Sequence, residues 1–467
     1  MLTGSYSSDT KIARGDMNND DVINVLDSII MRRFIANKSD PIIIDPNPIV
    51  TTTTTTTSTT TTTTTTTTVS YNDNLIEAPV KDFDSATPST GDVKMLVFYV
   101  DFPDVQYSSS DYSASQIETE LFGNGSTSYP YESVTSWFNR SSYGNLNIDG
   151  NVYTYTCSEN MANYQTDGYE KLAMEVLDGM ADQIDYSDYD SDNDGVIDAL
   201  SFTVPLDNSD DATKQYWYGC LATWYNNPSY TIENLSVKNY IINDVMPNSN
   251  DIRYLKQTLI HELGHSMGLP DYYKYNSADW EGLNGDAGYE RMDDSIGDFS
   301  SFSKLMLGWF TENEVQIASQ SDTNTYYLSD ASSEGSCLLL PITSNDSYNS
   351  EYFLIEYITP SGNNSDIYTS DSGIRIFHVQ AEIVTTDWGS TNFKYENYSS
   401  YYQGDDKIRV LKLVNDNNGF YHSGDTVKFG TSNFAAYDSD GNQTIDTGYT
   451  ITIGDIVNGQ YAVTVSK

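Results

Sequence analysis

The segment His261-Glu262-Leu263-Gly264-His265-Ser266-Met267-Gly268-Leu269-Pro270-Asp271 constrains this chain more tightly than any other. Residues four apart on a helix share a face, so the imidazoles of His261 and His265 can close on one metal ion, and zinc is the ion that such a nitrogen pair suits. Glu262 stands beside them and can take a proton from a water on that ion. Gly268 is placed to end the helix in a left-handed turn, which would return Asp271 to the same ion as its third ligand. The whole chain carries 4 His, and two of them fall in this pattern. Leu255, Leu259, Leu263 and Met267 recur at helical spacing, so the helix should pack into a core and hold the site rigid.

Composition narrows the setting. The 467 residues leave room for several domains. A formal net charge of −44 argues against nucleic acid or an anionic membrane as partner, because both need a basic face. No long apolar run predicts a transmembrane helix. The 3 Cys (Cys157, Cys220, Cys337) lie far apart, which gives neither a disulfide framework nor a thiolate zinc site. Calcium could brace an exported protein in place of disulfides. The first residues, MLTGSYSSDTKIARG, contain no apolar signal segment, so an exported chain is expected here in mature or shortened form.

Residues 51–68 are Thr except for Ser58, a tract that cannot bury a core and reads as a linker. Ahead of it, Asp16, Asn18, Asp20, Asn24 and Asp27 stand at loop positions 1, 3, 5, 9 and 12, with Val22 offering a carbonyl at position 7. That is calcium-loop spacing, and a helix carrying Ile29, Ile30, Arg33 and Phe34 follows it. The pattern resembles one repeat of a dockerin, with Asp21 where that module usually has Gly and with a single repeat in place of two. The resemblance implies a cohesin scaffold as partner and a place in a cellulosome, a polysaccharide-degrading assembly. A second loop has Asp190, Asp192, Asp194 and Asp198 at positions 1, 3, 5 and 9 and Gly195 at 6. It lacks a final Glu, since residue 201 is Ser, and is expected to hold a structural calcium. Asp438-Ser439-Asp440-Gly441 reads as a turn.

The region around the His pair reads as α+β. A continuous apolar strand is expected over Lys94–Val100, with helices over Ser133–Ser142, Tyr169–Ile184 and Ser300–Leu307, and a strand over Val196–Val204. From about Tyr326 short strands alternate with turn signals (Tyr326–Leu328, Cys337–Pro341, Tyr352–Tyr357, Ile374–Val379, Ile408–Leu413, Tyr449–Ile453, Gln460–Val465), which predicts an antiparallel β-sandwich. His378 and His422 are expected to be structural.

HELGHSMGLPDYY followed by RMDDSIGDFSSFSKLMLGW (291–309) resembles the immune inhibitor A family of secreted bacterial zinc metallopeptidases. MLVFYVDFPD (95–104), SVTSWFNRSSYGNLNIDGNVYTY (133–155), DSDNDGVIDALSF (190–202), YFLIEY (352–357) and GIRIFHV (373–379) are similar to it as well, so the likeness spans most of 90–430. It implies His261 and His265 as zinc ligands, Glu262 as catalytic base and Met292 as the methionine turn of a metzincin-like site. Asp271 as third ligand rests on the extended motif, and Glu290, Asp293 and Asp298 compete for that place. Tyr272, Tyr273 and Tyr289 are candidates for steadying an oxyanion. The expected organisation is a partial dockerin-like module (1–40), a Thr-rich linker (41–75), a zinc peptidase domain (76–315) and a β-sandwich (316–467). The expected activity is secreted, extracellular endopeptidase action on protein or peptide substrates with Zn2+ and Ca2+ bound. The rivals are a non-catalytic, calcium-braced interaction protein with a vestigial metal site, and a zinc hydrolase of non-peptide bonds.

Overall fold

The computed structural model describes residues 85–107, 111–164, 169–205, 220–245, 252–273, 287–293, 296–342, 348–367, 369–385, 391–396, 409–414, 419–429, 436–437, 443–445 and 447–467. These lie in one compact unit, Ser70–Lys467. The dockerin-like loop (Asp16, Asn18, Asp20, Asn24, Asp27), the Thr tract and the turn at 438–441 lie outside the described residues.

The described chain is a mixture of α and β with many strands and few helices, in keeping with an α+β expectation. The first sheet contains β1 (Gly91–Asp101), β2 (Leu146–Thr156), β3 (Ala199–Pro205), β4 (Cys220–Thr223) and β5 (Asn239–Val245), in the order β2-β1-β3-β5-β4. Four of them run parallel, and β4 runs antiparallel to β5 at the edge. Parallel strands need both faces covered, and β1 shows how its sequence meets that need. Val93, Met95, Val97 and Tyr99 face one core, while Leu96, Phe98 and Val100 face another. On the first face pack α1 (Ala114–Phe122), α2 (Val134–Ser141) and α4 (Ile252–Ser266). On the second lies α3 (Glu170–Met180), through Leu172, Val176, Leu177 and Met180.

Two of the helices begin at a serine cap legible in the sequence. Ser133 caps α2 by accepting the Ser136 amide, and Gly144 just beyond its end has φ 84°. Ser300 caps α5 (Ser301–Met306) in the same way through Ser303. The expected helix over Tyr169–Ile184 is shorter at both ends, and the expected strand Val196–Val204 starts at Ala199. Val196 makes only an isolated bridge to Ser236, because the acidic loop before it is still turning.

Beyond two short two-stranded pairings, the described C-terminal half holds two larger sheets. β6 (Val315–Ile317), β8 (Cys337–Pro341), β9 (Glu351–Ile358), β10 (Gly373–Gln380) and β11 (Leu411–Leu413) are ordered β11-β10-β9-β8-β6. β7 (Asn324–Leu328), β12 (Thr426–Lys428), β13 (Thr450–Val457) and β14 (Gln460–Ser466) are ordered β12-β13-β14-β7 and are antiparallel throughout. Leu338, Leu340, Phe353, Ile355, Ile374 and Ile376 of the first share a core with Ile451, Ile453, Val463 and Val465 of the second. The opposite face of the same strands, through Leu339, Leu354, Phe377, Val379 and Leu411, joins the core that contains Leu259, Leu263 and Met292. The boundary expected at 315/316 therefore falls inside one continuous core. Among the described residues, no helix is long and apolar enough to cross a membrane.

Candidate metal centre

Helix α4 carries His261, Glu262 and His265 and ends in the turn that its sequence anticipates. Gly268 has φ 103° and its amide donates to the His265 carbonyl at 2.8 Å, while the Leu269 amide donates to the Gly264 carbonyl at 3.0 Å. This is a Schellman closure with glycine in the left-handed position. It reverses the chain so that Asp271 returns to the face bearing the two histidines. Asp271 Oδ1 then lies 3.0 Å from His261 Nε2 and 3.1 Å from His265 Nε2. The two rings stand edge to face, with centroids 4.8 Å apart.

The Nδ1 atoms are also placed. His261 Nδ1 meets the Arg291 carbonyl at 2.9 Å, and His265 Nδ1 meets the Leu269 carbonyl at 2.7 Å. Each Nδ1–H donated to a carbonyl turns the ring's Nε2 toward Asp271 Oδ1, the side on which a cation could be shared. The donor set His261, His265 and Asp271 offers ligand atoms within 4.8 Å of one another and fits a divalent ion of the zinc type. Electrostatics agree with that fit. Burial pulls His265 down, yet the charge and hydrogen bond of Asp271, joined by Glu262, lift it to about 9. Burial would raise Asp271, but the two histidines hold its carboxyl well below the ordinary range. Asp271 and the two imidazoles thus favour positive charge between them.

Glu262 sits next in the helix, 7% exposed, and its Oε2 accepts the Leu221 amide of edge strand β4 at 2.7 Å. The Cys220 thiol nearby is pushed up to about 11, first by burial and then by the Glu262 charge. Met292 lies beneath the helix, fully buried, and its carbonyl accepts the Tyr272 amide at 2.8 Å. A Cβ on Gly264 would stand 2.6 Å from Met292 Sδ, so the glycine lets methionine and helix meet.

The three competing carboxylates are committed elsewhere. Glu290 accepts the Met292 and Ser300 amides and the Ser303 hydroxyl, at 2.5, 3.0 and 2.7 Å. Asp293 accepts the Ala287 and Gly288 amides at 2.7 and 2.9 Å. Asp298 takes the Lys304 ammonium at 2.8 Å and the Ser141 hydroxyl. Of the tyrosines, Tyr272 spends its hydroxyl on Ser303 at 3.1 Å, and Tyr289 packs against the small cluster of Ala331, Ile358, Ile367 and Phe420. Tyr273 is the one whose ring stands near His261, 6.3 Å between centroids. His378 pairs with Glu351 at 2.9 Å and His422 with Asp371 at 3.0 Å, both away from the centre.

The acidic loop forms a second cluster. The carboxylates of Asp190, Asp192, Asp194 and Asp198 converge within 4.8 Å. Asn193 and Gly195 turn the loop at φ 61° and 85°. Amides of Asp194 and Gly195 bond Asp190 at 2.9 and 3.2 Å, and the Ser191 amide bonds Asp198 Oδ2 at 2.6 Å. The other oxygen of Asp198, Oδ1, is buried and receives no hydrogen bond. Burial pushes the Asp198 carboxyl up to about 6 against the Ser191 bonds, with the Asp192 and Asp190 charges adding to the rise. A buried acceptor facing three further acids fits a hard cation bound through oxygen.

Reading the sequence alone missed β4 as the partner of Glu262, because a four-residue strand has too few positions to show alternation. It also missed the buried Lys256, whose ammonium meets Glu120 at 2.6 Å, although a lysine beside Leu255 and Leu259 on a core-facing helix was a readable signal.

No protein-family profile matches the chain, and no curated protein matches it. Among solved structures, wild-type OgpA from Akkermansia muciniphila is 12% identical, covering 68% of this chain and 96% of its own at a TM-score of 0.26. Catalytically inactive OgpA from the same organism, in complex with an O-glycopeptide (glycodrosocin) substrate, is 10% identical, covering 67% and 94% at a TM-score of 0.25. At so low an identity and TM-score the likeness transfers no activity to this chain.

Proposed function

We propose that the chain is a zinc-dependent endopeptidase with a metzincin-like site, of the immune inhibitor A type, acting outside the cell on protein or peptide substrates. The observation that carries this is the meeting of His261 Nε2, His265 Nε2 and Asp271 Oδ1 at one point, with Glu262 next to it on the same helix. Those three residues would hold the zinc, which when bound supplies Lewis acidity toward a carbonyl and lowers the pKa of water. Glu262 takes a proton on its carboxylate and returns it to the leaving amine. Its bond to the Leu221 amide aims the carboxylate along β4, and the carbonyl-tied Nδ1 atoms keep both imidazoles in one orientation. Met292 and Gly264 pack the floor.

Around this centre we read the two C-terminal sheets as a β-sandwich and the Asp190–Asp198 loop as a calcium site that braces the start of β3. The dockerin-like module ahead of the Thr tract offers a cohesin scaffold a single calcium-loop repeat, so any contact with such a scaffold would be weak.

Digestion of casein tests the reading. Cleavage should stop on removal of metal by a chelator and return with about one zinc per chain. Cleavage unaffected by the chelator, or retained by His265→Ala, would overturn it. Stoichiometric zinc without cleavage of any peptide would favour the non-catalytic rival.

A further inference from the structure

Asp271 differs from the other two ligands in how it is held. His261 and His265 ride on a helix, whereas Asp271, Tyr272 and Tyr273 come after it without regular structure. Something other than a helix must fix the Asp271 backbone if its carboxylate is to stay about 3 Å from both imidazoles. Two contacts come from nearby in sequence: the Tyr272 amide to Met292 and the Tyr272 hydroxyl to Ser303. The third comes from 137 residues away. Arg409 is buried at 4% exposure, and its Nη2 donates to the Tyr272 carbonyl at 2.8 Å and the Tyr273 carbonyl at 3.0 Å. Arg409 is itself anchored, since the next residue, Val410, accepts the Gln380 amide at the end of β10 at 2.9 Å.

We propose that Arg409 is a positioning residue for Asp271, and that the C-terminal sheet thereby forms part of the metal centre. The inference rests on the zinc reading. A guanidinium suits the task because its donors are planar, rigidly spaced and protonated at any working pH. Neighbouring tethers act the same way. Arg375 of β10 donates to the Tyr289 carbonyl and pairs with Glu356, which accepts the Ser301 amide at 2.8 Å. Asn364 and Asp366 accept the amides of Asp298 and Gly297 at 2.8 and 3.0 Å. The loops beneath the histidines are thus bonded from the C-terminal half at several points, and Arg409 is the tether beside a ligand.

The test is zinc affinity, by chelator competition, of the full chain and its Arg409→Met variant, well below the melting point of each. Partners that orient metal ligands contribute about 10–100-fold to affinity, so Arg409→Met should bind zinc weaker by that factor. At saturating zinc it should keep the wild-type KM for casein, because Arg409 acts on the metal ligand and not on substrate. Should Arg409→Met not fold, Arg409→Lys replaces it. Lysine keeps the charge but carries it on a shorter, more flexible stem, and weakening of roughly threefold or more is expected. A folded variant with wild-type zinc affinity overturns the inference and leaves the zinc reading intact. A wild-type chain that binds no zinc overturns both.

Discussion

Among the described residues, two clusters of ligand-type side chains are built in opposite ways. In the first, one helix and its turn bring together a buried imidazole (His261), a buried carboxylate (Asp271) and the half-buried His265, and each ring is oriented by a backbone carbonyl. In the second, four carboxylates crowd an exposed loop, held by that loop's own amides, and only Asp198 is fully buried. Two nitrogens and one formal charge suit a borderline ion that keeps an open position for chemistry. An all-oxygen, highly charged loop suits a hard ion with flexible coordination. Burial and ring orientation, rather than the mere convergence of ligand atoms, separate the two clusters, since both bring those atoms within the same 4.8 Å.

Glu262→Gln puts this contrast under the heaviest strain. Gln keeps the volume and can still accept the Leu221 amide, but it cannot take a proton. Casein turnover should fall by about 10²–10⁴-fold while zinc content stays at the wild-type level. Turnover near wild type, with zinc confirmed by elemental analysis, would show that the buried cluster is not organised around Glu262.

Gly264→Ala probes the packing beneath the buried cluster. A methyl there would come 2.6 Å from Met292 Sδ and 3.3 Å from Phe299 Cζ, inside a closed core. Overpacking of this kind costs about 1–3 kcal/mol, more than the roughly 1 kcal/mol that alanine gains over glycine in a helix. Thermal unfolding should therefore show a lower melting point, with zinc affinity reduced because Met292 supports both α4 and the Tyr272 segment. A raised melting point would mean that helix propensity decides at this position and that the methionine floor yields freely.

Much of the buried centre was legible because its signals are local. The His pair at helical spacing, Glu262 between them and Gly268 at the C-terminal turn are read within eleven residues, and the helix, its closure and the return of Asp271 follow from backbone rules. Ser133 and Ser300 likewise announce the helices that they cap. What could not be read is long-range. Leu221 reaches Glu262 across 41 residues and Arg409 reaches Tyr272 across 137. Neither belongs to a periodic pattern, and an amide or a guanidinium carries no mark of its distant acceptor. The joining of the two halves through one core escaped for the same reason. The alternating residues of β9 and β10 show that both faces of their sheet are buried, but not which neighbour covers each face.

The mildest change is expected at the exposed loop, where the question is whether that cluster is a cation site or only a turn. Ligand that binds the folded state alone stabilises by about 2.7 kcal/mol at a hundredfold excess over Kd, or about 3 °C for a unit of this size. Calcium should therefore raise the melting point of the wild type by that order, with zinc held constant. Asp198→Asn should abolish the shift. The change removes a buried charge whose Oδ1 has no hydrogen bond, and whose neighbours Asp190 and Asp192 repel it. In calcium-free buffer the variant should accordingly melt at or above the wild type, and in millimolar calcium below it. That crossing is the decisive feature, because a carboxylate serving only the turn would make Asp198→Asn less stable by the same amount in both buffers. Parallel melting curves would reduce the Asp190–Asp198 loop to a hydrogen-bonded turn and leave the buried cluster as the only cation site supported among the described residues.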